Sequence, residues 1–326
     1  MRVTPDCDSI NSFNICSAAE IQTDPDVAFD GTHYMVVWSD LRVAGNTVVY
    51  GARVTQAGVV LDPAGFQVGP SNGTLQNEPS IQFIGDRYFV VWGHLASPFG
   101  VTGRFVNLDG TPGDTIHIAT ASDVVHSTAI AYDGNKMFVV WTEYPGSLRG
   151  QLVSTTGALI GSPITIADDI LVVNSGNICF GGSEYFVIYS RWLGFYLELW
   201  GRRYDASGNP ILSPFQISNP GQSCADGYVV AGDEYYLCVW SQLQYPADIY
   251  GCLDYEVGIE SNGTNVIVQE NPYATTIING PLMLPADEKF MVLDITGRVV
   301  APDKLQPGIY FVVSDESVVQ KVVKVR

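Results

Sequence analysis

Polar side chains, most of them oxygen-bearing, recur at one kind of position along this 326-residue chain. Asp24 and Asp26, Glu78, His126 and Ser127, Asn174 and Ser175, and Asp226 all stand immediately before an apolar, strand-forming run. Carboxylates in such a setting can do two kinds of work. Two carboxyl groups in different environments divide into an acid and a base, and about 5 to 9 Å between them suits cleavage of a glycosidic bond. Asp24, Glu78 and Asp226 are the residues for that chemistry. A ring of carboxylate, amide and hydroxyl oxygens could instead hold a polyol or a Ca²⁺ ion, which prefers oxygen ligands. The plainer alternative is that these are solvated turn residues that start strands. It is favoured here, because no aromatic or basic neighbours accompany the carboxylates to shift their pKa values.

Other reactive residue types point to architecture. The six cysteines are Cys7, Cys16, Cys179, Cys224, Cys238 and Cys252, with no CxxC pair, and His33, His94, His117 and His126 are scattered, so a zinc site is not expected. Cys179 and Cys238 fall in apolar runs and read as buried thiols. Cys7 and Cys252 are the disulfide candidate, with Cys16 as the alternative partner, since connectivity does not follow from spacing. Trp38, Trp92, Trp141 and Trp240 each end a Val-rich run, which makes them core residues before sugar-stacking platforms. Arg53, Arg104 and Arg202 recur after a glycine and are expected to pair with acidic neighbours such as Asp40 or Glu143.

What positions these residues is a repeat. Val27 to Trp38, Ile81 to Trp92, Ile130 to Trp141, Ile178 to Tyr189 and Val229 to Trp240 share one pattern, and their terminal aromatics are spaced by 54, 49, 48 and 51 residues. That is the period of a four-stranded propeller blade. Each copy reads as two strands around a Gly-containing turn, such as Asp30-Gly31. A third run follows in every copy, and a fourth ending in Phe66 to Val68, Ile116 to Ile118, Ile164 to Ile166 or Phe215 to Ile217 follows in the first four. The fifth lacks it. Phe13-Asn14-Ile15 matches Phe215-Gln216-Ile217 and is expected to supply that outermost strand, closing the ring and removing a sheet edge. In a propeller the turns that carry the oxygen-bearing residues encircle one mouth of the central channel.

The expected architecture is therefore all-β: a five-bladed β-propeller over residues 1–257, followed over 258–326 by a linker and a small C-terminal β-sandwich. Charge supports the boundary. Residues from 289 onward hold six basic and four acidic side chains, so this end is +2 while the remainder carries -20 of the total -18. A surface so acidic disfavours nucleic acid and anionic lipid as partners, and no apolar run reaches the ~18 residues a spanning helix needs. Met1 is followed by Arg-Val-Thr-Pro-Asp, without an apolar signal segment, so an exported chain would need one from outside these residues.

Leu293-Asp-Ile-Thr-Gly-Arg-Val-Val300, Leu305-Gln-Pro-Gly-Ile-Tyr-Phe311 and the basic Gln320 to Arg326 together resemble the C-terminal sorting domain of type IX (Por) secretion substrates. The resemblance implies a secreted or cell-surface protein that meets the type IX machinery, with Gly297, Arg298, Pro307, Gly308 and Tyr310 as recognition or turn residues. The five repeats resemble propeller repeats of secreted bacterial proteins. The leading expectation is a binding or interaction module for a glycan, a surface protein or an ion, with no cofactor required and Ca²⁺ as one ion the mouth could hold. The second is a glycoside hydrolase of the five-bladed furanosidase type, and the third a structural or adhesive envelope protein.

Overall fold

A computed structural model describes residues 2–3, 9–73, 75–168, 177–193, 195–219, 221, 223–232, 235–243, 248–255, 275–278, 291–294, 298–314 and 317–324. Five consecutive antiparallel sheets follow one another along the chain. The first blade comprises Gln22–Phe29, His33–Val43, Asn46–Thr55 and Phe66–Gln67. Blade two comprises Gln76–Phe83, Tyr88–His94, Gly100–Val106 and Pro112–Thr120. Blade three runs through Val125–Tyr132, Lys136–Glu143, Ser147–Ser154 and Leu159–Ala167. Asn177–Phe180, Glu184–Leu193, Tyr196–Asp205 and Phe215–Gln216 make blade four. Blade five has Cys224–Ala231, Tyr235–Gln242 and Asp248–Tyr255, three strands among the described residues. The five-bladed propeller expected from the repeat is present.

The repeated residues explain how neighbouring sheets lock. Alternation along a strand sends one set of side chains to each face, so each blade packs apolar faces against both neighbours. Met35 and Val37 of blade one meet Tyr88, Val90 and Trp92 of blade two in one such core, and Phe186 and Ile188 meet Tyr236, Cys238 and Trp240 in another. A repeated tyrosine adds a polar latch. Tyr88, Tyr185 and Tyr236 donate their hydroxyls to the carbonyls of His33, Lys136 and Glu184 on the preceding blade. The repeated tryptophans are buried as expected, and Trp38 and Trp141 donate Nε1 to Asp40 and Glu143 two residues on.

The arginines differ from expectation. Arg53 does pair with an acid, but with Asp62, while Asp40 is held by Arg42. Arg104 and Arg202 donate instead to the carbonyls of Val68 and Ile166, each on the outermost segment of the preceding blade. A planar guanidinium can span that gap between sheets and satisfy an edge carbonyl that has no strand beyond it.

The seam between blades five and one shows a second difference. Phe13 and Ile15 are in no strand, and their side chains pack on Val36, Trp38, Ala52 and Val54 of blade one. Phe66, Ile116, Ile164 and Phe215 take the equivalent place over their following blades. The apolar half of the expected closure is thus formed without strand pairing to blade five. Val27, Phe29 and Tyr34 on one side of the seam, and Tyr228, Val230, Leu237 and Ile249 on the other, stay exposed.

Cys252 lies opposite Cys238 and packs toward blade four, whereas Cys16 lies against Arg42 of blade one. No disulfide joins the five described cysteines. The alternative pairing of Cys16 with Cys252 is therefore not formed, because Cys16 packs with the N-terminal segment on blade one and Cys252 in the core between blades four and five; Cys7 lies outside the described residues.

At the C-terminal end, Thr275–Ile278, Met291–Asp294, Gly308–Ser314 and Ser317–Lys324 form a four-stranded sheet, the first strand parallel to the last. Val292, Leu305, Tyr310 and Val312 make its core. Among the described residues, no helix is long and apolar enough to cross a membrane.

Candidate functional site

In blades one, two, three and five the innermost strand opens with a break in register: between Thr23 and Asp26, Asn77 and Ser80, Val125 and Thr128, and Ala225 and Tyr228. The first residue of the break is His126 in blade three and an acid in the other three, Asp24, Glu78 or Asp226, and these acids sit at positive φ, 54°, 43° and 52°. L-residues with a Cβ rarely adopt that region, and asparagine and aspartate tolerate it best. A glutamate there is the costlier choice. A bulge of this kind re-aims a side chain, and backbone strain of this sort collects at functional sites. The break itself is shared by four blades and is architectural; an acid held at positive φ distinguishes blades one, two and five.

The breaks lie at a common end of the molecule. Each innermost strand begins where the second strand of its blade ends, as in the pairs Gln22 with Asp40, Gln76 with His94, and Cys224 with Gln242. Neighbouring innermost strands are tied at that level. Asp26 accepts from the Ile81 amide at 2.8 Å and the Ser80 hydroxyl at 3.1 Å, and Asn177 accepts from the Val229 amide at 3.0 Å. Thr128 donates to the Glu78 carbonyl and Asn77 to the His126 carbonyl. These contacts set Glu78 beside Asp24 of blade one, while Asp226 stands at the same end of blade five, across the exposed seam.

Their environments separate the expected residues into groups. Asp26 is consumed by interblade bonding, and burial pushes its carboxyl above the usual range despite the hydrogen bonds it accepts from Ile81, Val27 and Ser80. Asn177 takes the equivalent place in blade four, which marks the position as architectural. Ser127 is buried and turned into its own blade, with Oγ 2.9 Å from Thr142 Oγ1. His126 is half-buried and meets Asn77 through its backbone. Asn174 and Ser175 lie outside the described residues.

Asp24 and Asp226 are exposed at the mouth, where each accepts a hydrogen bond from a hydroxyl of its own blade, Thr23 at 2.9 Å and Ser241 at 3.3 Å. Glu78 is half-buried. Burial, together with the negative charge of Asp24 on the adjacent blade, raises its carboxyl from 4.5 to about 7, against a hydrogen bond from Asn77 that opposes the shift. A carboxylic acid that keeps its proton near neutral pH, next to a second carboxylate, is the division of labour that acid–base chemistry needs. Sequence reading found these acids by position; it missed the positive-φ break and the burial of Glu78, which depend on neighbouring blades.

Among the described residues no group of three or more His, Cys, Asp or Glu side chains is disposed to hold a metal ion. The channel-mouth acids occupy separate blades, and their oxygens do not converge on one centre of that kind.

In the C-terminal sheet, Arg298 is exposed and pairs with Asp294 at 2.9 Å, and Pro307 is exposed. Tyr310 is buried and donates to the Gln306 carbonyl at 2.8 Å, closing the turn that holds Pro307 and Gly308. Gly297 lies outside the described residues.

No protein-family model matches the chain, and no curated protein matches it. Among solved structures it is similar to a GH43 endo-arabinanase from Bacillus licheniformis, at 13% identity over 73% of this chain and 95% of that one, with a TM-score of 0.44. It is also similar to the native arabinanase of Bacillus subtilis, at 12% identity over 72% and 95% with a TM-score of 0.46. A third is an α-L-arabinofuranosidase from Lactobacillus brevis, at 13% identity over 69% and 84% with a TM-score of 0.46.

Proposed function

We propose that the chain is a glycoside hydrolase working at the mouth of the propeller, with Glu78 as general acid and Asp24 as the partner carboxylate. One observation carries the reading: Glu78 is half-buried beside the charge of Asp24 on the next blade and retains its proton to about 7. In this role Glu78 protonates the leaving glycosidic oxygen, and Asp24 acts on the opposite side of the anomeric carbon, either on water or directly on the sugar. Asp226 is exposed at the matching position of blade five.

The test is a turnover screen with nitrophenyl furanosides and pyranosides and with arabinan and galactan polymers. Glu78→Gln keeps the size of the side chain and cannot donate the proton, so turnover should fall by about 10² to 10⁴-fold. Unchanged turnover in that variant overturns the assignment of the acid. The second reading is sugar binding without turnover. It is favoured by Asp24 and Asp226, whose exposed carboxylates already accept hydroxyl hydrogen bonds of the type a polyol offers.

The proposal includes export. In this proposal Tyr310, buried in the core of the C-terminal sheet, builds the fold, and the exposed Arg298 and Pro307 are the residues offered to the type IX machinery. Deleting residues 275–326 in a bacterium with that machinery should leave the protein inside the cell envelope. Delivery of the shortened chain to the surface would rule the export role out.

A further inference from the structure

The hairpin between the second and third strands of blade four differs from its counterparts. Leu193 pairs with Tyr196 at its tip, and around that tip Trp192, Phe195 and Tyr196 are exposed, Phe195 to 90%. The corresponding tip of blade one is Ala44-Gly45, and in blade two Phe99 is packed into an interblade core. Blade three adds Tyr144, also exposed. Leaving aromatic surface in water forfeits burial energy, and single exposed apolar residues are ordinary. Three exposed aromatics in five residues, with a fourth at the corresponding hairpin of the adjacent blade, are a concentration of the kind that marks a binding site.

Topology places this patch. In blade four Asn177 opens the innermost strand opposite Ile188, and the second strand runs on to Leu193. The hairpin therefore projects at the end where Asp24, Glu78 and Asp226 stand. In a five-blade ring blade four adjoins neither blade one nor blade two, so Trp192, Phe195 and Tyr196 lie across the mouth from Asp24 and Glu78, while Tyr144 on blade three stands between them, next to the blade of Glu78.

We propose that Trp192, Phe195, Tyr196 and Tyr144 form a stacking platform for a neutral polysaccharide chain that crosses the mouth toward the carboxylates. The apolar C–H face of a sugar ring fits flat against an aromatic face, while its hydroxyls remain in water. The net charge of -18 weighs against polyanionic chains and anionic lipid headgroups, which leaves an uncharged polymer as the fitting occupant. A platform one channel-width from the acids engages a chain of several sugar units, so the preferred substrate is polymeric. That last step rests on the hydrolase reading; binding at the hairpin does not.

Affinity electrophoresis and calorimetry with soluble debranched arabinan, galactan, xylan and mixed-linkage glucan, and with anionic polygalacturonate, test the proposal. Wild-type protein should bind at least one neutral polymer more tightly than polygalacturonate. Phe195→Ala, a substitution at an exposed site, and Trp192→Ala should each weaken that binding about tenfold. Turnover of small nitrophenyl glycosides, where present, and the melting temperature of Phe195→Ala should be unchanged. Glu78→Gln should bind the polymer as the wild type does, which separates failure of the platform from failure of the catalytic assignment. The proposal is overturned if no neutral polymer binds, if Phe195→Ala binds equally well, or if both aromatic variants lose affinity for phosphatidylcholine vesicles and not for the polymers.

Discussion

Glu78 shows how one residue can be read at two levels. By type and position it is one of several acids before a strand, and nothing nearby in the sequence distinguishes it from Asp226. In the fold its neighbour is Asp24, 54 positions away, and burial does the rest. Folding here raises the carboxyl from 4.5 to about 7, so the folded state binds this proton more tightly than the unfolded state does. Its contribution to stability is full below about pH 4.5 and is lost as pH rises through about 7. Glu78→Gln removes that dependence. Thermal melts should show the variant gaining on the wild type between pH 4 and pH 8, and a gap that does not change with pH would mean that Glu78 titrates as an ordinary exposed glutamate. Ser127 teaches the reverse. Its hydroxyl is chemically suited to a ligand, yet pairing with Thr142 takes it out of the mouth.

At the scale of the element, the recurring glycine that opens the third run of each blade is a packing device. A Cβ at Gly150 would stand 2.5 Å from the Phe138 ring, and at Gly103 and Gly201 2.6 Å from Phe89 and Phe186. Each of those rings is fully buried and belongs to a core that cannot yield easily. Gly150→Ala should therefore cost about 1 to 3 kcal/mol from overpacking, read as a lower midpoint in urea unfolding. A variant as stable as the wild type would show that the ring has room to move. The repeat made this glycine visible, as it did the hairpins and the tryptophans, because local alternation and turn residues act within one blade. The bond from Asp26 to Ile81 and the reach of Arg104 to Val68 were not visible, because both partners lie on different blades and no local pattern pairs them.

For the whole molecule the instructive region is the seam. Tyr34 is 40% exposed, while its counterparts Tyr88, Tyr185 and Tyr236 are at most 1% exposed and latch onto the blade before them. Ile249 is 78% exposed and its counterpart Val49 is fully buried. These two faces have the composition of interblade faces, so they are expected to cover each other in solution, with Tyr34 donating to the Tyr235 carbonyl. Hydrogen exchange reads this directly. Val230→Asp should speed exchange in both Gln22–Phe29 and Cys224–Ala231 if the faces meet. Acceleration confined to Cys224–Ala231 would show that they stay apart. Closure would also bring Asp226 beside Asp24, completing the acidic rim.

The amino-acid sequence by itself determined the number of blades, their strands and the acids at the strand starts, because a period of about fifty residues and the alternation of side chains are properties of each repeat alone. Only the tertiary structure decided which acid keeps its proton, which serine is spent inside the fold, which cysteines share a core and where exposed aromatics gather. Burial and charge at a site depend on what neighbouring blades bring to it, and residues tens of positions apart become neighbours only when the sheets stand side by side.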